Sequence, residues 1–149
     1  GRVDKTRQLF RNAERELLES GIELPPSYAA KVRVLENFSS RTINDENAIS
    51  DWIDMFTAFP VRRTPGWYSQ LNVYPRGHRL SAYRSIGADV LVIGFADDVI
   101  TPPALGREVA DAIPKGRFVQ IANAGHLGFM ERPDTVNSAM LQFLSGTLI

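Results

Sequence analysis

The feature that most constrains this chain is a continuous apolar run, Val90-Leu91-Val92-Ile93, followed by one helix-length segment and a second strand-like stretch, Phe118-Val119-Gln120-Ile121. A run without polar alternation marks a strand buried on both faces of a parallel sheet. The segment between, Ala104 to Ile113, carries Leu105, Val109 and Ile113 on one side, and Pro114-Lys115-Gly116 turns the chain. Beyond the second strand, Asn123-Ala124-Gly125-His126 reads as a loop. A last helix is expected from about Pro133 to Leu144. The order is β–α–β–α, the repeating unit of a parallel α/β sheet.

Two short parallel strands do not make a stable sheet, and both are apolar enough to need cover on each face. Left alone, such an edge invites aggregation. More sheet is therefore expected from a partner chain or from another part of the same precursor. The N-terminal Gly1-Arg2-Val3-Asp4 has no initiator Met and is not a signal peptide, so the reading places a cleavage or processing point there.

Residues 1 to about 86 read differently, as helices and loops. Asp4 is a helix N-cap, with Val3, Phe10, Ala13, Leu17 and Leu18 at helical spacing and Gly21 as the stop. Leu24-Pro25-Pro26 breaks the chain before a second helix over Ser27 to Asn37. Asn44 or Asp45 caps a third, in which Ile49, Trp52, Ile53 and Phe56 fit i, i+3, i+4, i+7. Pro60 ends it. A loop rich in turn formers and aromatics, Val61 to Tyr68, continues to Pro75-Arg76-Gly77-His78, and a short helix over Arg79 to Ile86 leads to Gly87.

Composition excludes several classes. The 149 residues suit one ordinary domain, and 17 Lys+Arg balance 17 Asp+Glu. That balance lacks the basic excess of a nucleic-acid or membrane-surface protein, so neither partner is expected. With no cysteine, disulfides, Cys-ligated zinc and a thiol nucleophile are out. Two histidines, His78 and His126, do not suggest a metal site. No apolar run approaches the roughly 18 residues of a membrane span, and a cytoplasmic location is expected.

The chemistry lies in two loops. Gly94-Phe95-Ala96-Asp97-Asp98-Val99-Ile100-Thr101-Pro102-Pro103 leaves the carboxyl end of the first strand, and Asn123-Ala124-Gly125-His126-Leu127 leaves that of the second. Open α/β sheets place their catalytic groups on that edge. Parallel neighbouring strands would bring an acid and an imidazole together although 28 positions separate Asp98 from His126. A carboxylate that accepts the Nδ1–H of a histidine fixes its tautomer and leaves the other nitrogen as a general base.

These two loops resemble the C-terminal half of the α/β-hydrolase superfamily. There a strand leads into a D-x-x-x-P loop carrying a triad acid, then a helix, a last strand and a Gly-His loop. The matching residues are Asp98-Val99-Ile100-Thr101-Pro102 and Gly125-His126, and Glu131-Arg132-Pro133 with Val136-Asn137 resembles the family's approach to its final helix. The specific likeness covers about residues 86 to 146. It implies an α/β fold: the C-terminal part of an α/β-hydrolase, a parallel sheet flanked by helices, with the sheet completed by another chain or segment. Residues 1–86 would be the helical cap and linker, and 87–149 the βαβα part of the core. The cap match is one of position and helicity, not of a motif.

Two departures stand out. The family commonly has glycine three residues before the acid; counting from Gly94 selects Asp97, whereas counting back from Asp98 meets Phe95. The four-residue spacing to Pro102 favours Asp98. Second, the family's triad runs nucleophile, acid, histidine, with the nucleophile in G-x-S-x-G. None of the 10 serines here has glycine two residues away on both sides.

The resemblance thus implies a serine-type hydrolase of an ester or related carbonyl bond in a small organic molecule, with Asp98 and His126 on this chain. The Ser nucleophile and oxyanion hole would come from an N-terminal half, as a second chain or a removed segment. No metal or organic cofactor is implied. Trp67 and Tyr68, read as loop residues, and Leu127 are candidates for substrate contact, while Trp52 and Phe56 are expected to pack the helices together. His78, Arg62-Arg63, Tyr28 and Tyr74 carry no mark beyond exposed or structural residues. Other chemistries on the same fold stay open: carbon–carbon, epoxide or haloalkane hydrolysis, haloperoxidase-like perhydrolysis, or a non-catalytic receptor or biosynthetic scaffold. Asp98 read blandly caps its own turn.

Overall fold

The computed structural model describes residues 4–61, 64–73 and 79–146. Val3, Arg62, Arg63, Tyr74 and His78, singled out above, lie outside them. Six helices precede the sheet among the described residues: α1 (Lys5–Ser20), α2 (Pro26–Asn37), α3 (Ser40–Ile43), α4 (Glu46–Ala58), α5 (Pro65–Leu71) and α6 (Leu80–Tyr83). Then come β1 (Val90–Phe95), α7 (Pro103–Ala112), β2 (Gly116–Ile121), the single turn α8 (Gly128–Glu131) and α9 (Pro133–Leu144).

Local chemistry sets the boundaries. Asp4 accepts from the Thr6 N–H at 2.8 Å, and Gly21 closes α1 at φ 66°, its N–H reaching the Leu18 carbonyl. Asp45 accepts from the Asn47 and Ala48 N–H groups at the start of α4. Prolines open α2, α5, α7 and α9, where a missing N–H costs no hydrogen bond. The helices α2 and α4 pack on one another around buried Ala30, Val34, Phe38 and Phe56. The rings of Phe38 and Trp52 lie 4.7 Å apart, those of Phe38 and Phe56 5.9 Å, and Arg33 lies over the Phe56 ring at 4.0 Å. Trp52 and Phe56 therefore do the packing that their spacing predicts.

The strands pair in parallel, in register from Val90↔Gly116 to Phe95↔Ile121. Helix α7 lies against both, and its backbone comes so close that a Cβ on Gly116 would sit 2.2 Å from the Ala110 carbonyl oxygen. A second buried cluster, Ile121, Ala124 and Val136, joins β2 to α9. The expectation that Val90 to Ile93 is buried on both faces is not met within this chain: all four are only half-buried. The reason is the sheet itself, which has two strands among the described residues. No described helix is long and apolar enough to cross a membrane.

One expectation about the aromatics needs correction. Trp67 and Tyr68 lie in helix α5, not in a loop, because Thr64 caps it through the Trp67 N–H and Pro65 occupies its first turn.

Candidate active site

Backbone bonds extend the ladder past the strands and lock the two loops side by side. The Ala96 N–H donates to the Ile121 carbonyl and the Asp97 N–H to the Ala124 carbonyl, both at 2.9 Å. That stitching brings Asp98 beneath His126, and His126 Nδ1 lies 3.0 Å from Asp98 Oδ2. The acid side chain is 4% exposed and the histidine side chain 35%. Burying a carboxylate is costly unless its lone pairs are met. Here Oδ1 accepts from the Ile100 N–H at 2.9 Å and the Thr101 N–H at 2.8 Å, while Oδ2 accepts from the Thr101 hydroxyl at 2.7 Å as well as facing the imidazole. Asp98 thus caps its own turn with one oxygen and faces His126 with the other.

Burial alone would push the Asp98 carboxyl up, but the His126 hydrogen bond, the Thr101 N–H and hydroxyl, and the imidazolium charge together hold it below the ordinary carboxylate range. Asp97 is exposed, and its N–H is spent on Ala124. Of the two adjacent acids, the structure brings only Asp98 to the histidine.

Glycine before the histidine has a steric cause. A Cβ on Gly125 would lie 2.6 Å from the Asn37 carbonyl oxygen, 2.7 Å from the Phe38 carbonyl carbon and 2.9 Å from the Ser39 nitrogen. The histidine loop is therefore seated directly on the backbone between α2 and α3, and the Leu127 N–H donates to Asn37 at 3.0 Å. Sequence reasoning passed over a buried network on the same seam. The Glu131 carboxylate receives the Ser39 N–H, the Ser39 and Thr42 hydroxyls and the Gly125 N–H.

A depression of about 220 Å³ opens beside the pair. Its walls are Ile93, Gly94 and Phe95 at the end of β1, Asp98, Thr101 and His126, and Pro103, Leu105 and Gly106 of α7. That volume falls below the roughly 300–1,000 Å³ of sites that enclose a drug-sized ligand, and the depression is open to solvent. Trp67, Tyr68 and Leu127 do not line it. Tyr68 is 43% exposed and meets Trp67 edge-on. Leu127 packs against the Ala30–Phe56 cluster, because its N–H is pinned to Asn37. Thr101 is the missed residue at the acid; it stood inside the D-x-x-x-P stretch as an unassigned position. Among the described residues no group of three or more His, Asp or Glu side chains is placed to hold a metal.

With that geometry in view, the comparisons are specific. A model of the "Alpha/beta hydrolase family" matches residues 5–139, and the chain belongs to that family. A Mycobacterium tuberculosis H37Rv protein bearing the provisional name non-heme bromoperoxidase BpoC is 60% identical over 145 residues, 97% of this chain and 55% of the relative. Its crystal structure superposes on the whole chain with TM-score 0.93 at 58% identity, covering 56% of that molecule. A thermophilic esterase from Thermogutta terrifontis shares the fold at TM-score 0.67 and 23% identity, over 97% of this chain and 52% of its own. The chain thus spans about half the length of the relatives it matches.

Proposed function

We propose that this chain forms part of a serine-type hydrolase that cleaves an ester or related carbonyl bond in a small organic molecule. The observation that carries this reading is the 3.0 Å contact between His126 Nδ1 and a buried, fully hydrogen-bonded Asp98, at the carboxyl edge of parallel strands. The nucleophilic serine and the oxyanion-hole donors belong to polypeptide outside these 149 residues, which also extends the two-stranded sheet. That polypeptide is an N-terminal half of the hydrolase, joined to this chain or present as a separate one.

The steps follow from the tautomer. Asp98 accepts Nδ1–H, so Nε2 carries a free lone pair. His126 takes the serine proton as the hydroxyl attacks the carbonyl, and Asp98 stabilises the imidazolium that results. The proton then passes to the leaving alcohol. In the second half, His126 deprotonates a water that releases the acid and restores the serine. No metal or organic cofactor enters any step.

Treatment of the native protein with a serine-reactive fluorophosphonate, followed by intact-mass and peptide mapping, tests the reading. One adduct is expected, on a serine outside this chain, and His126→Ala is expected to abolish it while the fold survives. An adduct on one of this chain's serines, no adduct at all, or near-normal labelling of the His126 variant would each overturn the proposal.

The provisional bromoperoxidase name of the 60% identical relative favours a second reading on the same residues. Hydrogen peroxide in place of water would attack the acyl-serine, with His126 taking its proton, and release a peracid able to oxidise bromide. Bromination that requires both peroxide and a carboxylic acid donor, and that disappears with His126→Ala, is the expected signature.

A further inference from the structure

Glu131 is a buried carboxylate, 9% exposed, which the mechanism above leaves without a role. Its two oxygens face two different parts of the molecule. Oε1 accepts from the Ser39 N–H at 2.9 Å, the Ser39 hydroxyl at 2.6 Å and the Thr42 hydroxyl at 2.7 Å, all at the start of α3. Oε2 accepts from the Gly125 N–H, the residue immediately before His126. Ser39 itself has no exposed surface, and its backbone nitrogen is one of the atoms that a Gly125 side chain would strike. The turn α8 returns Glu131 to this seam, with the Gly128 N–H on the Gly125 carbonyl and the Met130 N–H on Leu127.

We propose that Glu131 is a positioning residue for His126, a carboxylate that, beside the Leu127 N–H on Asn37 and the Ser39 hydroxyl on the Asn123 carbonyl, ties the imidazole-bearing loop to the α2–α3 junction and so makes the placement of the base depend on how the helical half is docked. The inference rests on His126 serving as the base, as proposed above. Its logic is geometric. Gly125 has no side chain with which to hold its loop, and the Asp98 contact fixes only the ring. The neutral bonds from the Asp97 N–H to Ala124 and from the Leu127 N–H to Asn37 hold the loop on either side of Gly125-His126, and at Gly125 itself the charged acceptor gives a stronger hydrogen bond than a neutral one would. A misplacement of about 1 Å at a catalytic group can cost on the order of 100-fold in rate.

The test uses the complete, nucleophile-bearing protein. In Glu131→Gln the amide has one oxygen, so either the α3 side or the Gly125 side of the bridge loses its acceptor. In Thr42→Val one hydroxyl on the α3 side is removed, while Glu131 and the Ser39 hydroxyl's bond to the Asn123 carbonyl are kept. Both are expected to lower kcat about 10- to 100-fold with KM within about twofold. Both are expected to shift or broaden the downfield proton resonance of His126 Nδ1–H, which His126→Ala identifies. Unchanged kcat and an unchanged resonance in Thr42→Val, whatever its melting temperature, would overturn the proposal and leave Glu131 a purely structural group. If Glu131→Gln does not fold, the hydroxyl variant decides alone. A wild-type protein that fluorophosphonate does not label counts against the hydrolase reading, whereas the Nδ1–H resonance still reads the tether.

Discussion

Replacing Asp98 by asparagine changes one atom and, by the geometry here, the proton on His126, the proposed base. The orientation of the new amide is forced. Two backbone donors, the Ile100 and Thr101 N–H groups at 2.9 and 2.8 Å, converge on Oδ1, so the amide oxygen must stay there. The opposite orientation would set an NH2 against both donors and forfeit two hydrogen bonds to a buried acceptor, at about 1–3 kcal/mol each. The amide nitrogen therefore replaces Oδ2, 3.0 Å from His126 Nδ1. It donates where the carboxylate accepted. Nδ1 must then accept, the imidazole proton moves to Nε2, and the nitrogen that should take the serine proton already has one. A triad in this wrong tautomer loses about 10⁴ in rate, about 5 kcal/mol of barrier. The assay is the second-order rate of fluorophosphonate labelling near neutral pH, with nitrogen NMR of the imidazole to read the tautomer and circular dichroism to confirm the fold. Asp97→Asn is the control and is expected to label within about twofold of wild type, since Asp97 is exposed and away from the ring. A folded Asp98→Asn protein that labels within about tenfold of wild type would refute the reasoning.

Three further outcomes follow from packing and charge. Gly125→Ala forces a methyl into the backbone of Asn37 to Ser39, which cannot move like a side-chain tip; a loss of about 1–3 kcal/mol in urea unfolding is expected, with faster hydrogen exchange at the Leu127 N–H. Glu36 is pushed above its ordinary value by burial and by the nearby Glu14 carboxylate. A raised acid binds its proton more tightly when folded, so its contribution to stability is present at low pH and is lost as pH rises through the folded value; Glu36→Gln should raise the melting temperature at neutral pH and reduce that loss. Asp98 has the opposite sign: its depressed value adds stability that is full above the ordinary carboxylate range and lost as pH falls through the folded value. Asp98→Asn should flatten the acid limb of a pH–stability curve.

How much of this was legible depends on whether the signal was local. The apolar run of β1 and the proline-led starts of α7 and α9 act within a few residues, and their positions are read to within about two residues of the observed ends. β2 begins at Gly116, before Phe118, because the parallel register pairs Gly116 with Val90; pairing is a property of two strands, not of one. The helix holding Trp67 and Tyr68 had a readable signal, Thr64 followed by Pro65, but turn formers around it masked a capped seven-residue helix. Leu127, a candidate for substrate contact, follows His126 directly in the chain. Its side chain instead joins the helical core cluster, a contact set by the Asn37 carbonyl rather than by chain neighbourhood.

The candidate site divides along the same line. Asp98 and His126 were legible because each sits in a short stretch with its own turn chemistry, and strand order does the rest. The choice between Asp97 and Asp98 needed burial: one acid faces solvent, while the other has four donors converging on it. Glu131 stood in the Glu131-Arg132-Pro133 stretch that leads to the last helix, but nothing local marked its side chain as buried. Its partners Ser39 and Thr42 lie 92 and 89 positions away, and a glutamate is ordinarily solvated. What fixes it is the close approach that Gly125 permits. The glycine visible in the sequence and the carboxylate hidden from it are two halves of one seam. A substitution at either should therefore disturb the histidine loop through the same contacts, and the two effects should fall short of additive when combined. A Gly125→Ala/Glu131→Gln double variant whose stability losses sum fully would show that the seam is two independent contacts.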